Sequence, residues 1–306
     1  MSKEQGFSRR AIYLSPLSTS ADGVCALRCY LKHYGYLPQK HDTSKDTFDK
    51  DLEEGLRKFQ RYYGLQTSGK LDGPTKGLLT RGRCGAPDAT PKSSLEANIA
   101  IPWGTKTLTY HLGTPSADLP KIDCWAAIER ALTTWENAGV GLKFKEVNDV
   151  AKANIAIHWG PAEDADHSMV GNVLAHADFP PGESILRHPR DQLPLHFDDS
   201  EHVWVNGTQF NAFDIETVAL HEIGHCLGLF HSNVRGAVMF AFVDDNFMLR
   251  RVQQDDILGI QQLYGHGWQE VDGAGTQTAM VMSDLIDSRV DGGGEAAEQQ
   301  QELIQE

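Results

Sequence analysis

Val24, Leu27, Leu31 and Tyr34 recur at a helical period and stop at the turn Tyr34-Gly35-Tyr36-Leu37-Pro38, which predicts one helix and its end. A second apolar stripe, Phe48, Leu52, Leu56, Phe59 and Tyr63, predicts a longer helix over residues 47–63 that Gly64 terminates. Asp72-Gly73-Pro74 then opens a short third helix, with Leu78 and Leu79 available to pack on the other two. These three helices read as a small unit with a modest core, extending from residue 21 to about residue 88.

The pattern changes after it. Residues 89–102 are rich in Pro, Ala and Ser without sustained period, as suits an exposed linker that a protease could cut. Leu108 to Leu112 reads as a strand, and residues 122–138 as an amphipathic helix turning Trp125, Ile128, Leu132 and Trp135 to a core. Residues 142–147 and 153–159 alternate cleanly, so a sheet with one face covered by that helix is expected. A Gly- and Asp-rich loop at 160–171 leads to candidate strands at 172–177 and 193–197, then to helices at 213–229 and 252–263. The layout is α+β over residues 103–265. Residues 1–20 and 266–306 are expected to be disordered tails; the stretch 291–306 is dominated by Gly, Glu and Gln and cannot bury enough apolar surface to fold alone.

At 306 residues and 40% hydrophobic content, the chain has room for about two domains with real cores. A net charge of −14 argues against a nucleic-acid partner, because the phosphate backbone rewards Lys and Arg. No run reaches the roughly 18 apolar residues of a membrane span. Residues 1–20 offer only Ala11 to Leu14 after Arg9-Arg10, too short for the apolar run of a secretory signal. The five cysteines, Cys25, Cys29, Cys84, Cys124 and Cys226, are an odd set, so at least one thiol is free. Nothing in the sequence speaks to oligomeric state.

The most informative stretch is His221-Glu222-Ile223-Gly224-His225-Cys226-Leu227-Gly228-Leu229-Phe230-His231. Residues four apart on a helix point the same way, so His221 and His225 can offer two imidazoles to one zinc. Gly228 lets the backbone leave the helix and bring His231 around as a third ligand. A fourth position stays open for a water whose proton Glu222 can take as general base and later pass to the leaving amine. Cys226 points about 100° away from His225 along the helix and reads as a buried, inert thiol. Asp255-Asp256 opens the last helix, where carboxylates complement the dipole. Cys25 and Cys29 share a helix face without a second pair at zinc spacing.

This motif resembles that of the metzincin metalloproteases, whose third ligand follows a glycine and whose site rests on a methionine turn. Met239 is the candidate for that turn, and His231-Ser232 with Val238-Met239 is similar to the matrixin group, the matrix metalloproteinases. Arg83-Cys84-Gly85-Ala86-Pro87-Asp88 resembles the matrixin cysteine switch, with Ala86 where the family usually has Val. The resemblance implies that Cys84 ligates the zinc in a latent form and that Arg83 and Asp88 pair to shape the loop. The helical unit is similar to the family's peptidoglycan-binding-like prodomain, through Phe59-Gln60, Gly64-Leu65 and Gly69-Lys70-Leu71-Asp72. The resemblance covers residues 21–265 and implies a twisted mixed sheet with three helices behind a three-helix prodomain.

By the same resemblance His176 and His196 are two ligands of a structural zinc, with Asp164 and His167 as local substitutes for the missing His-Gly-Asp. Asp198 and Glu201 match the family's calcium-binding carboxylates, and hard oxygen donors suit that ion. The implied activity is a zinc metalloendopeptidase acting on protein or peptide substrates, extracellular, released by an activating protease that cuts the linker. The family shapes its specificity pocket after the methionine turn, where it often has a proline; Phe240-Ala241-Phe242 stands here. Two other readings remain open: a glycan-binding protein with a degenerate protease fold, and an intracellular housekeeping protease, which fits the missing signal and leaves the latency device unexplained.

Overall fold

The structure, a computed structural model, describes residues 21–88, 102–162, 169–180 and 192–265. The expected tails at 1–20 and 266–306, and residues 89–101 of the expected linker, lie outside the described residues.

The N-terminal unit is built from α1 (Ala21–His33), α2 (Lys50–Tyr62) and α3 (Gly73–Leu79). Helix α2 starts three residues later than its stripe predicts, because the Asp49 side chain accepts the Leu52 N–H at 3.0 Å and caps it there. Phe48 is thereby left outside the helix and is 47% exposed, so it is not part of the stripe. Asp72 caps α3 in the same way, with Pro74 in its first turn. Leu27, Leu31, Leu52, Leu56 and Phe59 are sealed between the helices. Arg28 is buried among them; it pairs with Asp49 at 2.8 Å and donates to the carbonyls of Lys45 and Thr47, fixing the α1–α2 connection.

The following elements are β1 (Gly82–Cys84), β2 (Thr107–Leu112), α4 (Lys121–Glu136), β3 (Lys143–Glu146), β4 (Ile155–Gly160), β5 (Val173–Ala177), β6 (Leu193–Asp198), β7 (Trp204–Val205), β8 (Phe213–Asp214), α5 (Ile215–Cys226), β9 (Phe242–Val243) and α6 (Gln254–Tyr264). Seven strands form one mixed sheet in the order β3-β2-β4-β6-β5-β1-β9, and β7 and β8 form a separate parallel pair. Strands β3, β2, β4 and β6 run parallel and β5 runs antiparallel to β6. The fold is α+β, with α4 and α5 packed together behind the sheet; Trp135 Nε1 donates to the Leu220 carbonyl at 2.9 Å across that contact. No helix among the described residues is long and apolar enough to cross a membrane.

Strand β1 belongs to the N-terminal segment yet lies inside the sheet. It pairs parallel with β5 and antiparallel with β9, so three residues of the helical unit's own tail fill the slot between two strand edges. The contact extends to side chains: Phe242 packs in the aromatic core of the helical unit, with ring centroids 5.0 Å from Tyr63 and 6.4 Å from Phe59.

Candidate metal centre

Helix α5 is buried along its whole length. Asp214 caps it, accepting from the Thr217 N–H at 3.0 Å and the Thr217 hydroxyl at 2.7 Å. It ends where Gly228 takes φ of +102°, a backbone setting that a side chain resists, and the Leu229 N–H returns to the Gly224 carbonyl at 3.0 Å. The chain turns sharply there and brings His231 beside His221 and His225. The Nε2 atoms of His221 and His231 each lie 3.1 Å from Nε2 of His225. Each ring is held from behind: Nδ1 of His221 by the Val238 carbonyl at 2.7 Å, Nδ1 of His225 by the Leu229 carbonyl at 2.7 Å, and Nδ1 of His231 by Asp88 at 2.8 Å. These outer partners fix the tautomers so that three Nε2 lone pairs converge.

Cys84 reaches the cluster from the end of β1. Its N–H donates to the Ala241 carbonyl and the next residue's N–H to the Ala175 carbonyl, at 3.0 and 2.9 Å. The ligand atoms of Cys84, His221, His225 and His231 all lie within 4.8 Å of one another, and all four side chains are buried. Three neutral imidazoles and a sulfur are a donor set that suits zinc. Burial lowers the pKa of all three histidines, that of His221 to about 3, which keeps them in the neutral form a metal needs. Burial, and then the Glu222 carboxylate, push the Cys84 thiol up, so without an ion it stays protonated and donates to Glu222 Oε2 at 3.4 Å. Burial pushes Glu222 up to about 8. Its Oε1 makes no hydrogen bond to any described residue.

The loop around Cys84 is closed by an ion pair between Arg83 and Asp88 at 2.7 Å, with both side chains buried. Three tyrosines that carry no motif hold this pair. Tyr36 donates to Asp88 at 2.7 Å, Arg83 donates to the Tyr30 hydroxyl at 2.6 Å, and the Arg83 guanidinium lies 3.3 Å from the Tyr34 ring centroid. The Met239 side chain packs against Gly224 of α5, and its N–H and that of Val238 donate to Asp256 at 3.0 and 2.9 Å. Asp256 therefore braces the methionine turn besides opening α6. Cys226 is fully buried and is not part of the cluster. Cys29 is exposed and Cys25 half-buried on α1.

His176 and His196 face each other on paired strands with ring centroids 5.4 Å apart. His158, which sequence reading did not single out, pairs in register with His196 and stacks on it at 4.4 Å. An unbroken row of three histidines across β4, β6 and β5 becomes visible only when strand register is known. Asp164 and His167 lie outside the described residues. Asp198 Oδ1 accepts from the Ser200 N–H and hydroxyl at 2.8 and 2.7 Å, and Glu201 accepts the Gly171 N–H at 2.7 Å. Asp198 is fully buried, and its Oδ2 makes no hydrogen bond to a described residue. Among the described residues, the Cys84 cluster is the one group whose ligand atoms converge.

A pocket enclosing about 180 Å³ opens beside Cys84, His221 and Glu222, walled by Leu174, Val218 and Phe240 among others.

Comparison with known proteins accounts for this architecture. The matrixin family pattern matches residues 102–265, and that of a putative peptidoglycan binding domain matches residues 20–79. The chain is 34% identical to a hatching enzyme of Paracentrotus lividus over 82% of its length and 40% of that protein's. It is 34% identical to an interstitial collagenase of Equus caballus over 87% of its length and 54% of that protein's. It is 35% identical to stromelysin-1 of Rattus norvegicus over 79% of its length and 50% of that protein's. The chain therefore spans about half the length of the relatives it matches. A mixed sheet carrying a histidine helix, a glycine exit and a methionine turn defines a metalloprotease fold of the metzincin kind. The chain belongs to the matrixin family.

Proposed function

We propose that this chain is a zinc-dependent endopeptidase that its own N-terminal segment holds latent. The observation that carries the reading is the convergence of Cys84 with His221, His225 and His231 inside 4.8 Å, delivered by a strand that fills the cleft. The three histidines would hold the zinc and Cys84 would complete its shell, an arrangement in which thiol ionisation and metal binding are coupled. Zinc bound there supplies Lewis acidity toward a peptide carbonyl and makes a water nucleophilic near neutral pH.

Glu222, adjacent to His221 on α5 and buried beside the cluster, would take a proton from the attacking water and deliver it to the leaving amine. The β5 and β9 edges hold the substrate backbone in an extended form once β1 leaves. Cutting the linker between residues 88 and 102 releases the segment. His176 and His196, with Asp164 and His167, are assigned to a structural zinc, and Asp198 and Glu201 to calcium; the fully buried Asp198 carboxylate, whose Oδ2 has His202 Nε2 at 3.6 Å and no hydrogen-bond donor among the described residues, supports the latter. Substrates are proteins or peptides, and the setting is extracellular, in keeping with the collagenase and stromelysin relatives.

The test is peptide hydrolysis by the full-length protein before and after an organomercurial. Activity should appear only after treatment and disappear with a zinc chelator or in Glu222→Ala. A treated, folded and zinc-loaded wild type that cuts nothing would instead favour a glycan-binding role for residues 20–79.

A further inference from the structure

Arg81, just before β1, forms an ion pair with Asp244, just after β9, across 163 positions of sequence. The two strands pair antiparallel with Gly82 opposite Val243 and Arg83 opposite Phe242. Arg81 and Asp244 are the next facing positions of that ladder, where opposite charges attract across strands. Both side chains line the pocket that reaches His221 and Glu222. Their side chains are 35% and 45% exposed, so the pair is solvated on one side, and Asp244 makes no other ion pair among the described residues.

We propose that Asp244 is a specificity residue that selects a Lys or Arg side chain of the substrate, and that Arg81 occupies that subsite in the latent chain. The inference rests on the endopeptidase reading and adds to it a charge preference. A substrate entering the cleft takes the slot between β5 and β9 that β1 fills, because those two edges lose their main-chain partners when β1 leaves. Side chains of the new strand that face β9 at its far end then meet Asp244, as Arg81 does. Arg81 lies three residues from Cys84, whose sulfur stands beside Glu222 where the reacting groups would lie. At about 3.3 Å per residue in a strand, the cation is selected about three residues from the bond that is cut. Arg235 lines the same pocket, its guanidinium 6.0 Å from the Phe240 ring centroid, and would favour an acid instead if it governed the choice.

The experiment uses the full-length protein opened with an organomercurial, given a reference peptide and a series with Lys, Gln or Glu scanned through the four positions on each side of the cleaved bond. At one position about three residues out, Lys should exceed Gln in kcat/KM about threefold and Glu should fall below it, the size expected for a half-exposed ion pair. Asp244→Asn should flatten that preference while still cutting the reference peptide, and Asp244→Lys should invert it. Cleavage of the reference peptide with no charge dependence, a preference for Glu, or a Lys preference that survives in Asp244→Asn each overturns this inference and leaves the peptidase reading standing. Failure to cut any peptide removes the peptidase reading and this inference with it.

Discussion

The Asp88 side chain is fully buried between Arg83 and His231. It accepts from Arg83, from Tyr36 and from Nδ1 of His231, at 2.7, 2.7 and 2.8 Å, and so ties the loop after β1, the helical unit and the third histidine together. Burial alone would raise its pKa, but Arg83 and the His231 hydrogen bond outweigh that and hold it well below the usual carboxylate range. A buried pair adds little over an apolar isostere, whereas breaking one strands a charge at a cost of about 3–5 kcal/mol. Asp88→Asn should therefore lose about 3 kcal/mol in urea unfolding and expose Cys84 to thiol reagents. Because the folded pKa is depressed, this stabilisation is complete above the unfolded value of about 3.9 and is lost as pH falls below it. The gap in melting temperature between wild type and Asp88→Asn should hold from pH 8 to about pH 5 and close in stronger acid; a gap that stays constant into stronger acid would mean that Asp88 has the same pKa folded and unfolded. The pairing of Arg83 with Asp88 was implied by resemblance, since both lie in one short motif. Tyr30, Tyr34 and Tyr36 were not legible as its support: they lie about fifty residues away, and an apolar stripe does not say what the tyrosine hydroxyls and ring faces will meet.

Helix α5 works because its neighbours fit it closely at Gly224. A Cβ built there would fall 2.4 Å from Met239 Sδ and 3.1 Å from Trp135, so the helix, the methionine turn and α4 all close on a residue with no side chain. Gly224→Ala must push Met239 aside. It should cost about 1–3 kcal/mol by overpacking and lower the zinc content at a fixed chelator concentration; unchanged stability with full zinc would show that Met239 is free to move. The helix and its three histidines were legible because a four-residue spacing and a glycine exit are local properties. The ends were less so: the expected helix at residues 213–229 shrinks to Ile215–Cys226, since Asp214 caps it and the chain turns at Gly228. Strands β7, β8 and β9 have two residues each, too few to alternate. Strand β1 is a turn-like Gly-Arg-Cys in isolation and becomes a strand only because β5 and β9 lend it their edges.

The two parts of the molecule meet around Cys84 and also over a shared aromatic core. Phe242 is 6% exposed, packed against Phe59, Tyr63 and Phe240, with the Arg83 guanidinium 4.8 Å from its ring centroid. Its neighbour Ala241 is buried in the same cluster. Neither part alone covers Phe242, so the energy of burying it belongs to their association. Phe242→Ala should weaken docking of the helical unit by about 3 kcal/mol, the usual cost of removing a buried ring. That converts to a rise of roughly 100-fold in the population with Cys84 exposed. The measurement is the rate at which a thiol reagent modifies Cys84 in the full chain, compared with the rate at Cys29, which is already exposed on α1. Faster labelling of Cys84 with Cys29 unchanged would show that the segment is held by the aromatic core as well as by sulfur and zinc. Equal rates in the two proteins would mean that the contacts around Cys84, and not the aromatic core, hold the segment in place.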